Sequence, residues 1–206
     1  MHNYINMESY LINLLSKEIK PEGFKRKKYT WLKVNEDISY IIDFQPSKSN
    51  TKGDEDFAIN IGFFSFKVFS LCWGTYTKKN FNITDCCFYG RLADFVDIKS
   101  SWFSINGIND IIKISEETNH LISTEIIPFL SKITTYNDLY ILMKKHYEKV
   151  IQKELHQIYM ACVEYLDGKK ENALARLNTI KDNVWEEKAL EVKNRIMEDS
   201  SRNNLK

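Results

Sequence analysis

No apolar run in this chain of 206 residues approaches the roughly 18–20 residues that a membrane helix needs, so no membrane partner is expected. An excess of charge of one sign is missing too: 29 basic residues stand against 28 acidic ones, a net charge of +1. Nucleic-acid binding usually shows as a basic excess on one face, and it is not expected here. Lys25-Arg26-Lys27-Lys28 is the one local charge run and reads as a solvated strand entry. The opening residues Met1-His2-Asn3-Tyr4 show neither the charged nor the apolar region of a secretion signal, which makes a cytoplasmic location the expectation. The four cysteines, Cys72, Cys86, Cys87 and Cys162, lack the spacing of a disulfide framework and read as thiols.

Catalytic signatures are scarce. There is no GxxxxGK(S/T) phosphate loop, no GxGxxG, no HExxH and no GxSxG elbow. His2, His120, His146 and His156 are spread without metal-ligand spacing, and Cys72 with Cys86-Cys87 does not make the paired set that zinc prefers. Neither metal nor cofactor is expected, and no residue is assigned as catalytic.

What is present is core material. The apolar fraction is 43%, with twelve Phe, eleven Tyr and four Trp, enough for a sizeable interior. Residues 5–19 carry apolar side chains at helical spacing, from Ile5 and Tyr10 to Ile19, and Pro21 and Gly23 end that helix. Residues 29–34 and 38–45 then read as strands, with Ile38, Tyr40, Ile42 and Phe44 on one face and Ser39, Ile41, Asp43 and Gln45 on the other. A polar loop over 46–56 leads to a further alternating run over 57–66. Residues 81–92 are expected as another strand and 101–105 as a last short one. Adjacent strands of this kind pair antiparallel.

After Gly107 the period becomes helical. Ser115 reads as a cap with Glu116 and Glu117 in the first turn, and Pro128 should kink or end that helix. Further helices are expected near 136–147, 149–167, 171–182 and 185–198, with a frayed polar tail over 199–206. The order of elements predicts an α+β fold: an antiparallel sheet of four or five strands packed by helices, with a helical C-terminal extension. The expected division is a domain over 1–147 and an extension over 148–206. "ACVEYLDGKKENALARLNTI" in that extension resembles one tetratricopeptide hairpin, with Ala161, Gly168, Ala173 and Leu177 at its close-packing positions. A stacked array needs about three such units, so an ordinary helical hairpin and a peptide-binding groove both stay open.

The paired strands place Asp43, Gln45 and Asn60 on one face, where Arg91 can join them. A carboxylate, two amides and a guanidinium make a polar recognition patch, or a network that ties the strands together. An exposed Trp102 beside Arg91 would suit a protein interface.

Several short pieces of the chain are similar to the DUF4304 family of bacterial proteins. They are Gly23-Phe24-Lys25 after the first helix, Asp43-Phe44-Gln45, Asn60-Ile61-Gly62, Arg91-Leu92 followed by Trp102, and the later "EIIPFLSKI". The resemblance covers about residues 5–145. Asn is usual in the family where Asp43 stands, and a Gly falls near Lys28. The resemblance implies a small α+β domain of unknown function and brings no catalytic residues. The expected function is a non-enzymatic protein-binding module with a protein partner, of which a toxin-neutralising immunity protein is one form. The alternative is a small-ligand binder or enzyme that uses Asp43, Gln45, Asn60 and Arg91 in a pocket.

Overall fold

The computed structural model describes residues 7–51, 54–76, 81–182 and 184–203. The start of the expected first helix before Met7, Lys52 and Gly53 of the expected loop, and the end of the tail beyond Asn203 lie outside the described residues.

Alternation of apolar and polar side chains builds the sheet as the spacing predicts. After helix α1 (Met7–Ile19) come β1 (Lys25–Lys27), β2 (Thr30–Lys33), β3 (Ser39–Pro46) and β4 (Glu55–Phe64). Helix α2 (Phe66–Trp73) follows, then β5 (Phe88–Arg91), the single turn α3 (Leu92–Phe95) and β6 (Trp102–Ile105). All neighbours are antiparallel in the order β1-β2-β3-β4-β5, and β6 pairs with β4 beyond the end of β5. The sheet thus has six strands rather than four or five. Between β1 and β2 the turn passes through Lys28 at φ 54°, a left-handed conformation that suits glycine. It lies where the DUF4304 resemblance expects a glycine nearby.

Two expectations need correction. Residues 81–92 are not one strand: a 3-10 turn at Ile83–Asp85 precedes β5. Asn82 Oδ1 accepts the Thr84 N–H at 2.9 Å, and Asp85 Oδ2 accepts the Asn82 N–H at 3.0 Å. Such local bonds compete with a strand ladder for the backbone. Nor is Ser115 a cap. Helix α4 (Ile108–Leu121) starts seven residues earlier, where Asp110 Oδ2 accepts the Asn106 N–H at 3.0 Å; Ser115 donates its hydroxyl within the helix to the Ile112 carbonyl at 2.7 Å.

Pro128 acts as its chemistry requires. A π-helical turn (Ile122–Ile126) widens the chain ahead of it, and α5 (Ile127–Leu130) then restarts with the proline in its first turn, where no amide donor is needed. Helices α6 (Tyr136–Lys145), α7 (Lys153–Leu166), α8 (Lys170–Asn178) and α9 (Trp185–Asn203) complete the chain. The α7–α8 hairpin closes on fully buried Ala161 and Ala173, with Gly168 at φ 81° in the turn. Helix α9 is tied to the end of α2 by Arg195, whose Nη1 donates to the Leu71 and Cys72 carbonyls at 3.0 and 2.7 Å.

One apolar core runs from α1 across the inner face of the sheet to α7, α8 and α9. A smaller cluster of Leu32, Ile41, Phe64, Phe81 and Cys86 covers part of the opposite face. That opposite face turns polar toward the β5–β6 side. No helix among the described residues is long and apolar enough to cross a membrane.

Candidate functional site

Register brings the five expected residues to one face. Asp43 lies opposite Asn60, and Asn60 opposite Arg91, in a single row across β3, β4 and β5. Two residues along, Gln45 and Trp102 flank Ala58 in the next row of the same face. Side chains two apart on a strand share a face, so the grouping follows from pairing alone.

Within this face the two halves differ. The Asp43 carboxylate is enclosed: Thr30 Oγ1 donates to Oδ1 at 2.7 Å, and Asn60 Nδ2 donates to Oδ2 at 3.2 Å. Asn60 Nδ2 also donates to Gln45 Oε1 at 3.3 Å. These bonds join three strands and satisfy the groups that make them. Arg91 is different. Its guanidinium lies 5.1 Å from the centre of the Trp102 ring, and its buried Nη1 has no hydrogen-bond partner among the described residues. A buried guanidinium nitrogen without an acceptor is costly, and an anionic group would satisfy it. Trp102 is 41% exposed and neighbouring Tyr89 52%, so both rings face solvent at this point.

Arg91, Asn60 and Gln45 open into a cavity of about 670 Å³ that runs along β5, within the range of small-ligand and peptide sites. Asp43 and Trp102 are not part of its wall. The far wall comes from the helical extension, through Lys149, Val150, Leu155 and His156, with His146 beside them. Lys149 Nζ reaches Asp94 Oδ1 at 3.3 Å, and Asp94 Oδ2 accepts the Arg91 N–H at 3.0 Å. Lys149 is therefore already partnered, and among the described residues of the wall Arg91 is the cation left to take a ligand.

His146 and His156 are the residues that motif reasoning missed. Ten positions apart, on different elements, they show no spacing that a motif would register; only the fold of α6 and α7 around Phe88 brings them together. Burial lowers both imidazole pKa values, and Lys149 and Lys145 add to the effect at His146. Both are neutral at pH 7. His156 Nε2 lies 3.1 Å from the Met143 carbonyl; a carbonyl only accepts, so Nε2 carries the proton.

Cys86 and Cys87 also line the cavity. Burial pushes both thiols up, Cys87 to about 12. Cys87 donates its S–H to the Phe63 carbonyl at 3.2 Å. Protonated, bonded thiols are poor nucleophiles. No group of His, Cys, Asp and Glu among the described residues is arranged to hold a metal ion.

Side chains of the turn before β5 pack directly on Gly62: a Cβ there would stand 2.6 Å from Ile83 Cδ1 and 2.7 Å from Cys86 Sγ, so a larger residue would have to displace them.

Residues 15–132 match the family described as a domain of unknown function, DUF4304. No curated protein matches the chain, and no solved structure does.

Proposed function

We propose a function from this premise: the chain belongs to the DUF4304 family, whose match takes in more than half of its length. It is a non-enzymatic binding module whose partner presents a carboxylate on an apolar body. The observation that carries this reading is the buried Arg91 Nη1, without a hydrogen-bond partner among the described residues, in the wall of an otherwise largely apolar cavity. Arginine pairs with carboxylates through two parallel bonds, and the aromatic rings of Trp102 and Tyr89 beside it are the residue types that anchor partners at interfaces. Catalysis is not favoured, because burial holds the two thiols of the cavity wall protonated. Asp43 belongs to the scaffold in this reading, and Arg91, Trp102, Gln45 and Asn60 to the binding surface. A toxin-neutralising role is one setting for such a surface.

The test is a titration of 3-phenylpropionate against the full chain, followed by amide chemical shifts, with 3-phenylpropionamide as the neutral control. The acid should bind with a Kd on the order of 1 mM and move the signals of Asn60, Tyr89 and Arg91. Arg91→Gln should weaken it roughly tenfold, the worth of a charge-assisted hydrogen bond. Equal binding of acid and amide, or unchanged binding by the variant, would sink the reading.

A further inference from the structure

The two edges of the sheet are treated differently. Strand β1 ends one side with Lys25, Arg26 and Lys27, all exposed. A short, charged edge of this kind repels an added strand. The β5 edge is short as well, but Phe88, Tyr89, Gly90 and Arg91 border the cavity, and the Lys149 and Asp94 charges beside it pair with each other. The Arg91 N–H turns away from β4 to Asp94 Oδ2. Direction alternates along a strand, so with the Arg91 N–H turned away the backbone of Gly90 faces its register partner Ile61, and the N–H and C=O of Tyr89 face outward on a strand that borders the cavity. The two faces of this edge differ in chemistry as well. Arg91 and Tyr89 point to the polar face, whereas Phe88 lies on the face shared with Phe95, His146 and His156.

We propose that the β5 edge accepts an extended acidic peptide as an added strand, with a carboxylate side chain on Arg91 and alternate apolar side chains against Phe95, Val150 and Leu155. Strand addition draws affinity from main-chain bonds and selectivity from alternate side chains, and an edge with a cation on one face and an apolar wall on the other selects an acidic–apolar alternation. Charge complementarity to Arg91 sets the occupant: a second β1 edge, with its three cations, would be repelled. This inference rests on the carboxylate reading above and adds the backbone to it.

The probe is a pooled library of five-residue peptides, acetylated and amidated, that alternate Glu with Val, Leu, Ile or Phe. Binding to the full chain is read by fluorescence, and hydrogen exchange is followed at the Tyr89 amide. Members of the pool should bind and protect that amide. N-methylation of a bound peptide at one set of alternate residues should abolish binding, and methylation at the other set should leave it. If 3-phenylpropionate binds at Arg91 while no peptide protects Tyr89, or if both methylated series bind alike, strand addition is overturned and the carboxylate reading stands. If neither probe binds, both fail.

Discussion

His146 and His156 place two neutral imidazoles against Phe88, with ring centres at 5.9 and 5.6 Å. In the unfolded chain their pKa values return to about 6.5; in the folded one burial holds them lower. As pH falls through 6.5 the unfolded state takes up protons that the folded state refuses. Their contribution to stability is therefore complete above that value and is lost as pH falls toward the folded pKa values. The urea midpoint of the full chain is expected to drop between pH 7.5 and pH 5.5, and His156→Gln should flatten the slope. An unchanged slope in the variant would assign the pH dependence elsewhere. At this scale the polar patch is legible in the sequence, because period-2 alternation alone decides which side chains share a face, and it groups Asp43, Gln45, Asn60 and Arg91. Which of them is free is not legible there. That depends on Thr30, which closes Asp43 from the neighbouring strand, and on the lack of any such closure at Arg91.

Helices α6, α7 and α8 meet at one buried ion pair. Arg176 Nε and Nη2 donate to the two oxygens of Glu164 at 2.7 and 2.9 Å, and Nη2 also reaches the Tyr140 hydroxyl at 2.9 Å. The Glu164 side chain is 5% exposed. Arg176→Met should cost about 3–5 kcal/mol, because it strands the carboxylate without its partner, whereas Arg176→Met with Glu164→Leu should recover most of that loss. Urea unfolding of the two variants decides it: a double variant no more stable than the single would show that packing, not charge, dominates at this junction. The hairpin itself is legible from its small residues and glycine, and the long helices from their periods. Ends and breaks are not. Ser115 has the chemistry of a cap, yet its neighbours Ile111 and Ile114 both face the core, and the helix runs through. Residues 81–92 have the composition of a strand, but the side chains of Asn82 and Asp85 take the backbone for a turn.

The family match ends at residue 132, before the helical wall of the cavity begins at His146. The sheet thus supplies Arg91, Asn60 and Gln45, and the C-terminal helices supply the surface opposite them. The same helices complete the core: fully buried Val68 and Cys72 on α2 belong to one cluster with Ile158 and Cys162 on α7 and with Ile196 on α9. Trp73 Nε1 donates to the Tyr159 hydroxyl at 2.8 Å, and Arg195 closes the carbonyl end of α2. A chain cut to residues 1–147 would expose the α2 face and the His146 side of Phe88 to water, at a cost that scales with the apolar area uncovered. The shortened protein is expected to lose its cooperative thermal transition and to bind a hydrophobic dye, the behaviour of a collapsed chain without fixed packing. A sharp transition with little dye binding would instead show that the sheet and its N-terminal helices stand alone. The extension would then be a module laid over a finished domain, and the cavity a true interdomain cleft. In either case 3-phenylpropionate should bind the shortened chain more weakly than the full one, because the apolar wall that receives its ring has gone while Arg91 remains.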